Sequence, residues 1–247
     1  MMGALDERVA VVIGGSRGIG RAIVQRLVAD GAAVLFSYHH REDLAKELVT
    51  DLRAQGRRAH AVRANLPDLE DVRTLFDESE RLFGGVDILV ANAGTGADMS
   101  IVDTTEEFYD WLMAVNAKGT FFAIQQAAKR MRDAGSVITV SSVSTALPAP
   151  GAAVYAATKA AVEQFTRVAA WELAERGIRV NAVSPGATDT DLLRLANSAE
   201  TLETAVAMTP LARLGHPQDI AGVVAFLAGP DAGWITGQNI RATGGMG

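Results

Sequence analysis

Tyr155 and Lys159 stand one helical turn apart in Tyr155-Ala-Ala-Thr-Lys159, near the start of a stretch with helical character. Residues at i and i+4 share a helix face, so the phenol and the ammonium can meet. A free phenol, with a pKa of about 10, is a poor acid–base group at neutral pH, and a fixed positive charge beside it favours the phenolate and lowers that value. By itself the pair is more often an ordinary helix with one buried ring and one solvated charge. Ser141-Ser142 changes the balance, because it closes a short apolar run that reads as a strand, and open parallel sheets bind ligands at the carboxyl ends of their strands.

A second candidate site is Gly14-Gly15-Ser16-Arg17-Gly18-Ile19-Gly20, directly after an apolar run and leading into a helical stretch. Glycines there allow a tight turn and let a pyrophosphate approach the helix N-terminus, whose free N–H groups favour negative charge. The alternative is a plain turn that uses glycine for its conformation. The strand–loop–helix context favours the cofactor reading, although the spacing is G-x-x-x-G-x-G and not G-x-G-x-x-G.

These residues need a frame to hold them, and the chain supplies a repeating one. Short apolar runs at Val9–Ile13, Ala33–Ser37, Ala59–Arg63, Val86–Ala91, Ser136–Ser141, Arg179–Val183 and Asn239–Ala242 have the character of strands buried on both faces. Helical stretches lie between them, at Ile19–Asp30, Glu42–Gln55, Leu69–Phe83, Glu106–Arg132, Ala153–Arg176 and Gln218–Leu227. The expectation is an α/β fold: one Rossmann-type, doubly wound domain over residues 1–247, with a parallel sheet of about seven strands and helices on both faces. The segment Asp189–Thr209 interrupts the rhythm and is a candidate lid over the site.

Composition narrows the class of function. Apolar residues make up 49% of the 247 and charged residues 21%, ordinary for a globular protein. A net charge of −6 argues against a nucleic-acid partner. The absence of cysteine excludes disulfides, thiolate metal sites and a thiol nucleophile, which fits a cytoplasmic protein. The opening residues carry acidic groups before any apolar run, unlike a signal peptide, and no apolar stretch approaches a membrane span.

The G-x-x-x-G-x-G loop, Asn92-Ala93-Gly94, Asn116, Ser142, Tyr155-x-x-x-Lys159, Pro185-Gly186 and the later Ile235-Thr-Gly-Gln occur in the order and spacing of short-chain dehydrogenases/reductases. The chain resembles that family from about residue 6 onward, and within it most resembles 3-oxoacyl-carrier-protein reductases and naphthol-type ketoreductases. The resemblance implies that Tyr155 gives a proton to a substrate carbonyl oxygen while NADPH delivers hydride to the carbon. It implies that Ser142 hydrogen-bonds the same oxygen, that Lys159 lowers the Tyr155 pKa and holds the nicotinamide ribose, and that Asn116 anchors a water for proton resupply. The implied cofactor contacts are Gly14, Ser16, Arg17, Gly18, Ile19 and Gly20; Ser37 and Tyr38; Asn65 and Leu66; Asn92, Ala93 and Gly94; Tyr155 and Lys159; and Pro185, Gly186, Thr188 and Thr190. No metal is implied. A homotetramer is, with the Glu106–Arg132 and Ala153–Arg176 helices and the last strand at its interfaces.

Five positions depart from the family pattern: Ile13, Asn65, Ala91, Thr188 and Thr243. Ile13 and Ala91 replace polar residues that tie the glycine loop to the fourth strand, so an apolar contact is expected there. NADPH is expected over NADH because Val34-Leu-Phe-Ser37-Tyr38-His39-His40-Arg41 has no carboxylate before Glu42, and Arg17 and Arg41 can meet a 2′-phosphate. The expected substrate is a 3-oxoacyl thioester or a cyclic or aromatic ketone. A carrier-protein partner is weakened by Asp133, which stands beside Arg132 where a basic residue would accompany Arg176. An alcohol dehydrogenase working oxidatively, or a silent nucleotide-binding regulator, are the alternatives.

Overall fold

In the computed structural model, which describes residues 3–247, the apolar runs form one seven-stranded sheet. Its strands are β1 (Val9–Ile13), β2 (Ala33–Tyr38), β3 (Ala59–Arg63), β4 (Ile88–Ala91), β5 (Ser136–Val140), β6 (Arg179–Pro185) and β7 (Asn239–Ala242). The spatial order is β3-β2-β1-β4-β5-β6-β7, and every neighbouring pair is parallel. The chain order reverses between β1 and β4, which opens a crevice at their carboxyl ends.

β1 and β4 are apolar throughout because both of their faces are covered, whereas the edge strands β3 and β7 carry polar, partly exposed residues. Alternate residues point opposite ways. Ala10, Val12, Val34 and Phe36 meet Ile23, Leu27 and Leu48 of α1 (Gly18–Ala29) and α2 (Glu42–Ala54). Val11, Ile13, Leu35 and Leu89 meet Leu75, Phe76 and Ala123 on the other face, from α3 (Leu69–Phe83) and from α5, defined below. Each such Val, Leu, Ile or Phe side chain contributes about 1.5–3 kcal/mol by leaving water. Both halves of the alternation are buried, so a period of two could not show in the sequence.

The stretch expected as one helix, Glu106–Arg132, is divided: α4 (Glu106–Met113), a π turn (Ala114–Lys118) and α5 (Gly119–Arg130). In the π turn the Gly119 amide reaches back to the Ala114 carbonyl. The long helix α6 (Ala153–Glu172) gives way to a 3-10 turn (Ala174–Arg176) that stops at Gly177, where φ is 66°. The weakly periodic segment after β6 holds α7 (Asp191–Ala196) and α8 (Ala199–Met208), and α9 (Pro217–Ala228) then packs beside α1. Among the described residues no helix is long and apolar enough to cross a membrane.

Candidate active site

The carboxyl ends of β1, β2, β4, β5 and β6 border the crevice. At the end of β1, Gly14 has φ 79° and lies so close to Ala93 that an added Cβ would come within 2.8 Å of the Ala93 Cβ. Only glycine fits both conditions. Arg17 leads into α1 in an extended conformation without a side-chain cap, and the first turn of α1 has no acidic residue. The first N–H groups of the helix are therefore left for an anion, and the cradle fits the pyrophosphate of a dinucleotide.

Two side chains hold this loop from behind. Asn92 Nδ2 donates to the Gly14 carbonyl at 2.8 Å and reaches the Ile13 carbonyl at 3.4 Å. Ile13 and Ala91 are register partners, so the apolar pair is present as expected, but the polar tie survives one residue later through Asn92. The Gly14 amide donates to Ser37 Oγ at 2.9 Å. Ser37 is only 3% exposed, and its hydroxyl supports the glycine loop from inside.

On the rim beyond β2, Tyr38 donates to Glu42 at 3.3 Å, and its phenol is pushed up in pKa by burial and then by Glu42. Arg41 is held by Asp43 through bonds of 2.9 and 2.6 Å. Arg17 is exposed and forms no ion pair with any described residue, so it is the cation freest to meet a phosphate. The sequence reading missed Arg63, the register partner of Tyr38, whose charge bears on both Tyr38 and His39. A basic residue ending the strand next to β2 was the available signal. Asn65 gives its amide to Asp71 at 2.8 Å, and Leu66 is buried beneath Gly119.

The candidate chemical centre lies between β4, β5 and α6. Asn116 sits in the π turn, fully buried; its Oδ1 accepts from the Thr95 amide at 2.9 Å, while Nδ2 donates to the Thr95 carbonyl at 2.9 Å and to Thr158 Oγ1 at 3.2 Å. Its side chain thus pins the chain after β4 to α6. Lys159 is 5% exposed and donates to the Val140 carbonyl at 2.9 Å. Loss of water lowers its pKa from 10.5 to about 8. A Cβ on Gly94 would lie 3.1 Å from both Lys159 Nζ and Asn116 Oδ1, so glycine leaves the ammonium its room.

Lys159 Nζ lies 5.9 Å from the centre of the Tyr155 ring. The phenol is pushed up by burial, a shift that Ser142 beside it opposes and Asp98 reinforces. This reverses the lowering expected from Lys159: the ammonium is turned toward Val140 and is itself starved of water, so desolvation of the phenolate dominates. Ser142 starts the 3-10 turn Val143–Thr145; its Oγ accepts from the Ser144 amide and donates to Ser144 Oγ, each at 3.1 Å. Ser144 and Asp98 were not foreseen. Asp98 enters through the fold alone, since the Met99 amide bonds the Gly151 carbonyl at 2.9 Å just before α6.

Beyond β6, Pro185 ends the strand, Gly186 packs on Thr243, and Thr188 Oγ1 donates to the Gly186 carbonyl at 2.9 Å. Thr190 caps α7 through the Leu193 amide at 3.2 Å, and its methyl group faces Gly18. The segment expected as a lid thus begins against the glycine loop. A cavity of about 410 Å³ is bordered by Thr188, Thr209, Arg213 and Arg241, and neither Ser142 nor Tyr155 lines it.

The arrangement can hold a dinucleotide and offer a carbonyl oxygen two hydroxyl donors. A family profile described as enoyl-(acyl carrier protein) reductase matches residues 13–247. A 3-oxoacyl-(acyl-carrier-protein) reductase of Staphylococcus aureus is 42% identical over 239 residues, covering 96% of this chain and 97% of that protein. A hydroxynaphthalene reductase-like protein of Metarhizium brunneum is 39% identical over 256 residues, covering 98% and 96%. Among solved structures, an angucycline C-6 ketoreductase with bound NADP superposes with a TM-score of 0.94 at 40% identity, covering 99% of this chain and 97% of that one.

Proposed function

The chain belongs to the short-chain dehydrogenase/reductase family, and on that premise we propose that it is an NADPH-dependent ketoreductase, turning a ketone into a secondary alcohol. The observation that carries this reading is the convergence of Ser142, Tyr155, Lys159 and Asn116 beside a loop fitted to a pyrophosphate. A bound nicotinamide supplies the hydride. Ser142, turning its hydroxyl away from Ser144, donates to the carbonyl oxygen and stabilises the charge that grows there. Tyr155 gives that oxygen its proton; a phenol pushed up by burial stays protonated at neutral pH, the form reduction needs. Lys159, with a pKa near 8, is placed to hold ribose hydroxyls and exchange a proton close to neutrality. Asn116 fixes the wall these groups share. Arg17, with Arg63 behind Tyr38, supports NADPH over NADH.

A free cyclic or aromatic ketone suits the chain better than a carrier-bound thioester. Arg176, the basic residue available for an acidic carrier, is bound to Asp133 at 2.8 Å and to the Ala128 carbonyl at 2.6 Å, so its charge is spent internally. The segment Asp189–Thr209 serves as the substrate lid, hinged where Thr190 meets Gly18. Exposed Phe121 on α5, Val168 and Trp171 on α6, and Trp234 before β7 support a homotetramer built on those faces.

The test is NADPH oxidation with a panel of cyclic and aromatic ketones, a 3-oxoacyl thioester and an enoyl thioester, alongside NADP-dependent oxidation of the matching alcohols. Turnover of ketones at neutral pH, with oxidation gaining only as pH rises, is the expected result. Cofactor binding without any turnover would instead mark a silent regulator, and faster reduction of the enoyl bond would overturn the carbonyl assignment.

A further inference from the structure

Glu163 lies on α6 one turn beyond Lys159, half-buried, and none of the roles above uses it. Three hydroxyls approach its Oε1: Thr145 Oγ1 at 2.6 Å, Ser141 Oγ at 2.8 Å and Ser184 Oγ at 3.4 Å. Each hydroxyl has a single proton to give. Ser184 has a closer acceptor in Asn239 Oδ1 at 2.8 Å. For Thr145 the alternative is the Ser142 carbonyl at 3.0 Å, and for Ser141 the Lys159 carbonyl at 3.3 Å, both longer than their contacts to the carboxylate. Thr145 and Ser141 therefore both donate to one carboxylate oxygen, in bonds of the short, charge-assisted kind.

Ser142 stands between these two donors in the chain. Ser141 follows the last residue of β5, and Thr145 closes the 3-10 turn that Ser142 begins. We propose that Glu163 is a positioning residue that clamps the turn around Ser142 to the helix bearing Tyr155 and Lys159, and so sets how far the Ser142 hydroxyl stands from the phenol. One carboxylate oxygen fixes both flanks of Ser142, whereas the Ser142 hydroxyl is bonded to Ser144 within the same turn and meets α6 at the Tyr155 phenol, the very separation the clamp sets. A displacement of about 1 Å at such a donor can cost on the order of a hundredfold in rate.

This inference rests on the ketoreductase reading, and its test separates the two. Wild type, Glu163→Gln, Glu163→Ala and Thr145→Val are compared as full chains for kcat, for KM of NADPH and ketone, and for amide exchange at residues 144–146 without cofactor. Gln keeps an oxygen acceptor in place, so it should retain at least about half of kcat; Ala should lose about tenfold or more with KM for NADPH changed less than about twofold. Exchange at 144–146 should quicken in Ala and not in Gln, and Thr145→Val should reproduce part of both losses. Wild-type kcat in the Ala variant, or a Gln variant as impaired as Ala, would overturn the proposal, as would a loss shared between kcat and NADPH binding with exchange quickened across the whole sheet. Should the Ala variant not fold, Gln and Thr145→Val decide alone. If wild type reduces no ketone, the parent reading fails, and the exchange comparison still judges the clamp.

Discussion

At the amino end of the sheet Asp87, 4% exposed, meets Arg132 at 2.9 Å, Arg8 at 3.4 Å and the Val9 amide at 2.8 Å. Nearby Arg179 donates to the Leu227 carbonyl at 2.7 Å and the Gly229 carbonyl at 3.1 Å. At the carboxyl end Lys159 is as deeply buried and has one backbone carbonyl, Tyr155 is raised by its own burial, and α1 starts uncapped. One end of the same strands answers its buried charges; the other leaves donors open and a cation underpaid in hydrogen bonds. Every buried side-chain polar atom among the described residues has a partner, so what sets the carboxyl end apart is a buried ammonium resting on a single carbonyl beside an uncapped helix start, a pattern that marks it as the candidate site.

Substitutions at each end of the sheet test this contrast. The largest effect is expected from Tyr155→Phe, which should lower kcat by about a thousandfold and leave NADPH affinity nearly unchanged, because it removes a proton needed only in the transition state. Steady-state kinetics and cofactor titration check both halves, and near-normal turnover would move the acid elsewhere.

Next comes Lys159→Met. A lysine whose folded pKa is depressed binds fewer protons folded than unfolded between about pH 8 and 10.5, so stability should rise with pH across that window by up to about 3 kcal/mol. Below pH 8 the full cost is present. Urea unfolding should show this rise in wild type and not in the variant, which should be the more stable at pH 7 yet nearly inactive. Parallel pH profiles for the two proteins would contradict a buried, unpaired ammonium.

Asp87→Ala should do the opposite: stability falls by about 2 kcal/mol while kcat of the folded enzyme holds. The figure sits below that for a fully buried pair because Arg8 and Arg132 remain partly in water. Urea midpoints and kcat measured well below the transition test it, and a kcat that falls with stability would mean the two ends are not independent. The smallest effect is expected at Arg17→Ala, where the preference for NADPH over NADH in kcat/KM should drop by about tenfold, roughly 1.4 kcal/mol. An unchanged preference would pass the phosphate to Arg63 or to an Arg41 released from Asp43.

Much of the site was legible because its chemistry is local. Tyr155 and Lys159 are fixed relative to each other by one turn of helix, and the glycine loop announces itself by residues that few other turns require. The π turn at Asn116 was hidden, since a single extra residue in a helical turn leaves the apolar pattern of Glu106–Arg132 almost unchanged. The bond from the Gly14 amide to Ser37 was hidden for a similar reason: the sequence places Ser37 near the end of β2 but does not say which way its side chain turns.

The seven strands and the parallel sheet were readable from short apolar runs alternating with helical stretches, and helical spacing set Tyr155 one turn before Lys159, because these signals act over a few residues; the roles proposed for Tyr155, Lys159 and Ser142 came with the family resemblance. Tertiary packing settled which polar side chains are answered. It set Asn92 against Gly14, Asp133 against Arg176, Asp98 near Tyr155, and Glu163 across both flanks of Ser142. Burial and charge compensation depend on partners tens of residues away, so the direction of the Tyr155 shift follows from the packing around it and not from the four residues that separate it from Lys159.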